Sequence, residues 1–143
     1  MPESAIIETA FAWFERPCPD VVVQRWKQGI TLDVATIRAT MELRGEHFAN
    51  NPYAAVVIVP EGTRFAMSFL DRDQYEGTEA ARNMFAMANV VEEDDVRAIV
   101  ELYYAQHPPK YLFGVFRELT EGMLWIEERL AERRAFPDLR ERL

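Results

Sequence analysis

The sequence predicts an α/β protein, a single domain over residues 1–143. Its centre is a mixed, largely parallel sheet of about five strands, opened by an N-terminal hairpin and covered by about four helices. Two observations predict this. Short runs at 53–59 and 84–91 are almost wholly apolar, as strands buried on both faces are, and 111–116 is a third apolar strand. Between them, apolar residues recur every three or four positions, which marks amphipathic helices. Strands alternating with helices imply crossover units and a parallel centre.

Taken in order, residues 6–15 alternate, with Ile7, Thr9, Phe11 and Trp13 on one side and Ile6, Ala10, Ala12 and Phe14 on the other, and read as one strand. Residues 20–28, with Val21, Val22 and Val23, read as a second, joined to the first by the turn composition Pro17-Cys18-Pro19-Asp20. Thr31 or Asp33 caps a helix whose inner stripe is Ile30, Val34, Ile37 and Met41, ending before Asn50-Asn51-Pro52. The least periodic stretch, 63–83, holds a short helix capped by Thr78. Glu92-Glu93-Asp94-Asp95 opens the next helix, its carboxylates facing the positive dipole end, and Val96, Ile99, Val100 and Tyr103 continue it. Pro108-Pro109 stops it, and Thr120 caps a last helix with Met123, Ile126 and Leu130 inward.

Sixteen basic against twenty-four acidic residues give a net charge of −8, which repels phosphate backbones and excludes a broad nucleic-acid face. Basic side chains gather only at the end, at Arg129, Arg133, Arg134, Arg140 and Arg142, where they suit a helix C-terminus. Cys18 is the one cysteine, so no internal disulfide forms. With no secretory signal and no run near the ~20 apolar residues of a membrane span, the expected location is cytoplasmic.

The segment Trp26-Lys27-Gln28-Gly29-Ile30-Thr31-Leu32 and the ending Lys110-Tyr111-Leu112-Phe113-Gly114-Val115-Phe116, running into Thr120 and Trp125-Ile126, carry a resemblance. Over roughly residues 21–130 the chain resembles the STAS-like fold of bacterial anti-sigma-factor antagonists, shared in outline with CRAL-TRIO lipid-carrier domains. It is more similar still to small bacterial proteins of that superfamily. The antagonists carry a phosphorylatable serine after the third strand, within Asp-Ser-Ser-Gly-Leu. The matching stretch here is Phe65-Ala66-Met67-Ser68-Phe69-Leu70, so the resemblance implies Ser68 as the modification site, but the flanking Asp, second Ser and Gly are absent and the residues themselves read Ser68 as an ordinary loop or helix-cap serine.

The usual chemical motifs fail on spacing. Asp71-Arg72-Asp73-Gln74-Tyr75-Glu76-Gly77 starts like a calcium loop, but Glu76 stands where glycine is required and Arg82 where the closing glutamate belongs. His47 and His107 are the only imidazoles, with no His-x-x-x-His or Cys-x-x-Cys pattern beside them. No Gly-rich phosphate loop occurs. The sequence therefore assigns no catalytic residue, cofactor or metal. The function it predicts is a non-enzymatic interaction or regulatory module, homodimeric through exposed aromatics such as Trp13, Trp26 and Tyr104. The alternative is a small carrier whose apolar or lipid-like ligand lies among Phe65, Phe69, Phe85, Tyr103 and Phe113.

Overall fold

A computed structural model of the chain describes residues 6–48, 52–71, 74 and 77–135. Eight strands and four helices follow in order: β1 (Ile6–Glu8), β2 (Ala12–Cys18), β3 (Val21–Trp26), β4 (Thr31–Leu32), α1 (Val34–Phe48), β5 (Tyr53–Val59), β6 (Arg64–Phe65), α2 (Glu79–Arg82), β7 (Met84–Val91), α3 (Asp94–Gln106), β8 (Leu112–Phe116) and α4 (Leu119–Ala135). A 3-10 turn at Met67–Leu70 lies between β6 and α2. The α/β class stands, with one main sheet of six strands ordered β1-β2-β3-β5-β7-β8. β1, β2 and β3 pair antiparallel, and β3, β5, β7 and β8 run parallel. Short β4 and β6 form a separate parallel pair.

The sixth strand comes from a break in the first predicted one. Thr9 accepts hydrogen bonds at its Oγ1 from the backbone N–H groups of Phe11 (3.3 Å) and Ala12 (3.1 Å), and its hydroxyl donates to the Ala12 carbonyl (3.0 Å). Such local bonding makes a turn out of a segment that alternation alone reads as extended. The turn also reassigns the faces. Ile7 pairs with Phe14 on the helix-covered side, while Trp13, read as sharing a side with Ile7, points the other way. The β2–β3 turn is tighter than predicted: Cys18 pairs Val21, and a bulge between Glu15 and Cys18 absorbs Pro17, which has no N–H for the ladder.

Helix starts follow their caps. Asp33 Oδ1 accepts from the Thr36 N–H (2.7 Å) at the head of α1. Thr78 Oγ1 accepts from Ala81 N–H (3.2 Å) for α2. At α3 the acids open the helix as expected, but Glu93 turns away and accepts from the Gly62 N–H, tying the β5–β6 turn to the helix. Gly62 holds a positive φ of 83° there, a conformation costly for other residues. Thr120 is not the cap of α4. It lies inside the helix, and Glu121 Oε1 reaches back to the Glu118 N–H (3.1 Å).

The two faces of the sheet are covered unequally. α1, α2, α3 and the 3-10 turn lie on one side, over a core that includes Phe14, Val22, Trp26, Met41, Val57, Met87 and Tyr103. Among the described residues, α4 alone lies on the other, where Ile126 and Leu130 share a cluster with Val21 of β3 and with Ala54, Val56, Ala86, Ala88 and Val90 of β5 and β7. Every residue of β5 and β7 is buried, as their unbroken apolar runs predict. One buried charge sits under α1: Arg44 Nη1 donates to Gln24 Oε1 (2.8 Å), and both side chains are fully buried.

Candidate functional site

Sheet geometry divides the five aromatics predicted to line one pocket. Phe65, Phe69 and Tyr103 do come together: Phe69 stacks on Tyr103 (4.5 Å between centroids) and tilts against Phe65 (4.9 Å). Phe113 lies on the same side, but stacks on Tyr104 (4.3 Å) at the β8 edge. Phe85 is on the opposite face, under α4, with the Arg133 guanidinium 4.6 Å from its ring. A register irregularity leaves Phe85 unpaired, because Tyr53 pairs Met84 and Ala54 pairs Ala86, and it sets Phe85 on the same side as Ala86, so membership in one apolar run does not mean membership in one pocket. The void bounded by Phe65, Phe69, Tyr103, Tyr104 and Asn89 measures about 30 Å³. That suits a water, not a ligand, since small-molecule sites run to roughly 300–1,000 Å³. Asn89 Nδ2 gives it a polar side, donating to the Gly114 carbonyl (3.3 Å) and the Tyr104 hydroxyl (3.4 Å).

The other sequence candidates are separated. Ser68 is exposed in the 3-10 turn beside the exposed Met67; it caps nothing, since Ala66 holds the cap position, and its carbonyl accepts from the Asp71 N–H (3.1 Å). Cys18 packs against the α4-side cluster, whereas His47 in α1 and His107 at the end of α3 belong to the opposite layer. His107 Nε2 is 2.8 Å from the Leu70 carbonyl, which pins the 3-10 turn to α3. Of the supposed calcium loop, residues 72, 73, 75 and 76 lie outside the described residues. Among the described residues, no group of three or more His, Cys, Asp or Glu side chains is placed to hold a metal, and no helix is long and apolar enough to cross a membrane.

In α/β sheets, ligands favour the crevice where neighbouring strands send their following segments to opposite faces. Here that place is between β7 and β8, because α3 and α4 leave on opposite sides. The Arg117–Asp94 ion pair (2.5 Å) closes it, and Glu92, Glu93, Asp95, Glu118 and Glu121 surround it. The chemistry suits no anion: carboxylates already occupy the positive ends of both helices.

Among the described residues, what no helix covers is the α4-side face of β1 and of β2 and β3 away from Cys18 and Val21. A groove of about 230 Å³ lies there, lined by Ile6, Trp13, Glu15, Val23 and Arg25. Ile6 is 66% exposed and Trp13 36%. Lys27 lies over the Trp13 ring (5.2 Å) and bonds Glu8 (2.6 Å), which holds the Glu8 carboxyl below its usual range. Arg134 at the end of α4 reaches Asp20 in the β2–β3 turn (3.3 Å), which anchors the helix beside the strands it leaves uncovered.

Of the three aromatics expected to be exposed, only Trp13 is. Trp26 (3%) and Tyr104 (5%) are core, covered by helices on the other side of the sheet. The sequence reading missed Ile6, Glu15, Val23 and Arg25 as surface partners of Trp13. The available signal was the off-core parity of β2 and β3, where Trp13, Glu15, Val23 and Arg25 mix apolar and charged types. No protein-family model, curated protein or solved structure matches the chain.

Proposed function

We propose that this chain is a non-enzymatic protein-interaction module of STAS-like fold, docking another polypeptide on the uncovered face of β1, β2 and β3. The observation that carries the reading is the unequal covering of the sheet: among the described residues, apolar Ile6 and Trp13 are exposed and Val23 is half-buried at the margin of the α4 cluster, interleaved with charges. Such a mixture is the composition of a non-obligate interface, apolar at the centre and polar around it. The resemblance of residues 26–32 and 110–116 to STAS-like proteins supports the same class. The carrier reading has less support, because the void bounded by Phe65, Phe69 and Tyr103 measures about 30 Å³.

The test is a photo-crosslinking amino acid placed at Trp13 or, as a control, at Glu101 on the exposed side of α3, in the cell that makes the protein. A polypeptide crosslinked from position 13 but not from 101, and lost with Val23→Asp, supports the module. Crosslinking from neither position, with a lipid-like molecule extracted from the purified protein, replaces it with the carrier.

A further inference from the structure

We infer that the polypeptide seated on the β1–β3 face is a second copy of this chain. The inference rests on the docking reading above and names its partner. The charges on that face are self-complementary. Glu8 is neutralised within the chain by Lys27. Glu15 and Arg25 remain, one acid and one base, and among the described residues neither joins an ion pair. They occupy opposite corners of one quadrilateral, because Trp13 stands across from Arg25 and Glu15 across from Val23 in the β2–β3 register. The other two corners are apolar.

A half-turn about the Trp13–Val23 diagonal brings a second copy face to face with the first. Trp13 and Val23 then meet their own counterparts. Arg25 meets the partner's Glu15, and Glu15 meets the partner's Arg25. A two-fold contact repeats each pair, so one acid and one base suffice to neutralise the whole face. A partner of single-sign charge would leave one of them desolvated and unpaired. Three strands ~4.8 Å apart and about six residues long give a footprint of roughly 14 by 20 Å. That is about 280 Å² a side, well below the ~800 Å² a side of a standard interface, so the pair is weak and reversible and forms only with rising concentration.

The experiment is analytical ultracentrifugation of the full chain over a concentration series, with Arg25→Glu and Glu15→Arg as separate variants. Both positions lie at the surface, and circular dichroism checks that each variant folds. Each variant alone faces like charge with like charge twice, and its self-association is expected to weaken roughly tenfold or more. Mixed one to one, the two variants present opposite charges at both contacts and are expected to dimerise as tightly as the unaltered chain. A chain monomeric at hundreds of micromolar overturns the inference. So does self-association that ignores both substitutions, which would put the contact elsewhere, for instance at the β8 edge with Leu112 and Phe113. A monomer that still crosslinks another protein from position 13 sinks the self-pairing and keeps the docking function. A monomer that crosslinks nothing sinks both.

Discussion

Replacing Phe69 with alanine separates a packed core from a ligand pocket. Phe69 is nearly buried, sandwiched between Phe65 and Tyr103, and borders the void of about 30 Å³. Removing the ring opens a further ~100 Å³, which at ~24 cal/mol per Å³ costs about 2.4 kcal/mol if nothing collapses. The lost transfer of the ring from water adds about 1.5–3 kcal/mol. The turn that carries Phe69 is short and surface-lying, so part of the space closes, and a net loss of about 3–4 kcal/mol is expected. Urea unfolding followed by tryptophan fluorescence measures it. The enlarged cavity is apolar on most sides, so benzene is expected to raise the Tm of the variant and leave that of the unaltered chain unchanged. A loss below about 1 kcal/mol, with benzene stabilising the unaltered chain instead, would show that the ring borders a preformed pocket and that the core reading is wrong.

Three further outcomes follow from single contacts. The Thr36 N–H holds the Asp33 carboxyl below its ordinary value, so its stabilisation is complete above the unfolded pKa of roughly 4 and is lost as pH falls through the lower folded value. Asp33→Ala is expected to cost about 1 kcal/mol at pH 7, whereas Asp33→Asn keeps the cap and flattens the acid limb of a stability–pH curve. At Gly122 an added Cβ would sit 3.0 Å from Val90 Cγ2. Overpacking of about 1–3 kcal/mol there exceeds the helix gain of about 1 kcal/mol, so Gly122→Ala is expected to destabilise, and Val90→Ala to relieve it in a double-mutant cycle. Arg133→Ala is expected to lose about 0.5–1 kcal/mol by urea unfolding, with no loss when Phe85 is already leucine.

How much could be read beforehand depended on whether a feature is local. β5 and β7 are apolar at every position, and only cover on both faces makes that tolerable, so their burial was legible. The inner residues Ile37, Met41, Val96, Val100 and Tyr103 were likewise legible from helical spacing. The Thr9 turn was not. Alternation runs through it unbroken, and a hydroxyl taking two N–H groups leaves no trace in hydropathy. The missed turn had a second effect, because it moved Trp13 to the opposite face from Ile7 and so hid the open surface. The single-pocket expectation failed for a different reason. Phe113 keeps the side of Met87 by register, but an irregularity in the β5–β7 pairing turns Phe85 to the side of Ala86, and neither register nor irregularity is carried by sequence proximity. Trp26 and Tyr104 were expected at the surface because two large aromatics strain a small core; the helices α1 and α3 together supply the cover.

The open face is itself a consequence of strand order. The parallel strands β3, β5, β7 and β8 are laid down in one direction across the sheet. Right-handed crossovers that always step the same way put every connection on the same side. α1, α2 and α3 must therefore share one face, and they do. Among the described residues, the opposite face has the segment after β8 to cover it. A helix is about 10 Å wide and strands are spaced ~4.8 Å apart, so α4 masks about two strands and part of a third. It follows β8 and packs back on β7 and β5, and its cluster takes in Val21 of β3, so among the described residues β1 and the Trp13–Glu15 and Val23–Arg25 stretches of β2 and β3 carry no helix of their own. The chain instead tempers the exposed strip with charge, setting Glu8, Glu15 and Arg25 among Ile6, Trp13 and Val23. A face uncovered by topology and patterned by charge is thus available for contact while remaining selective about what it accepts.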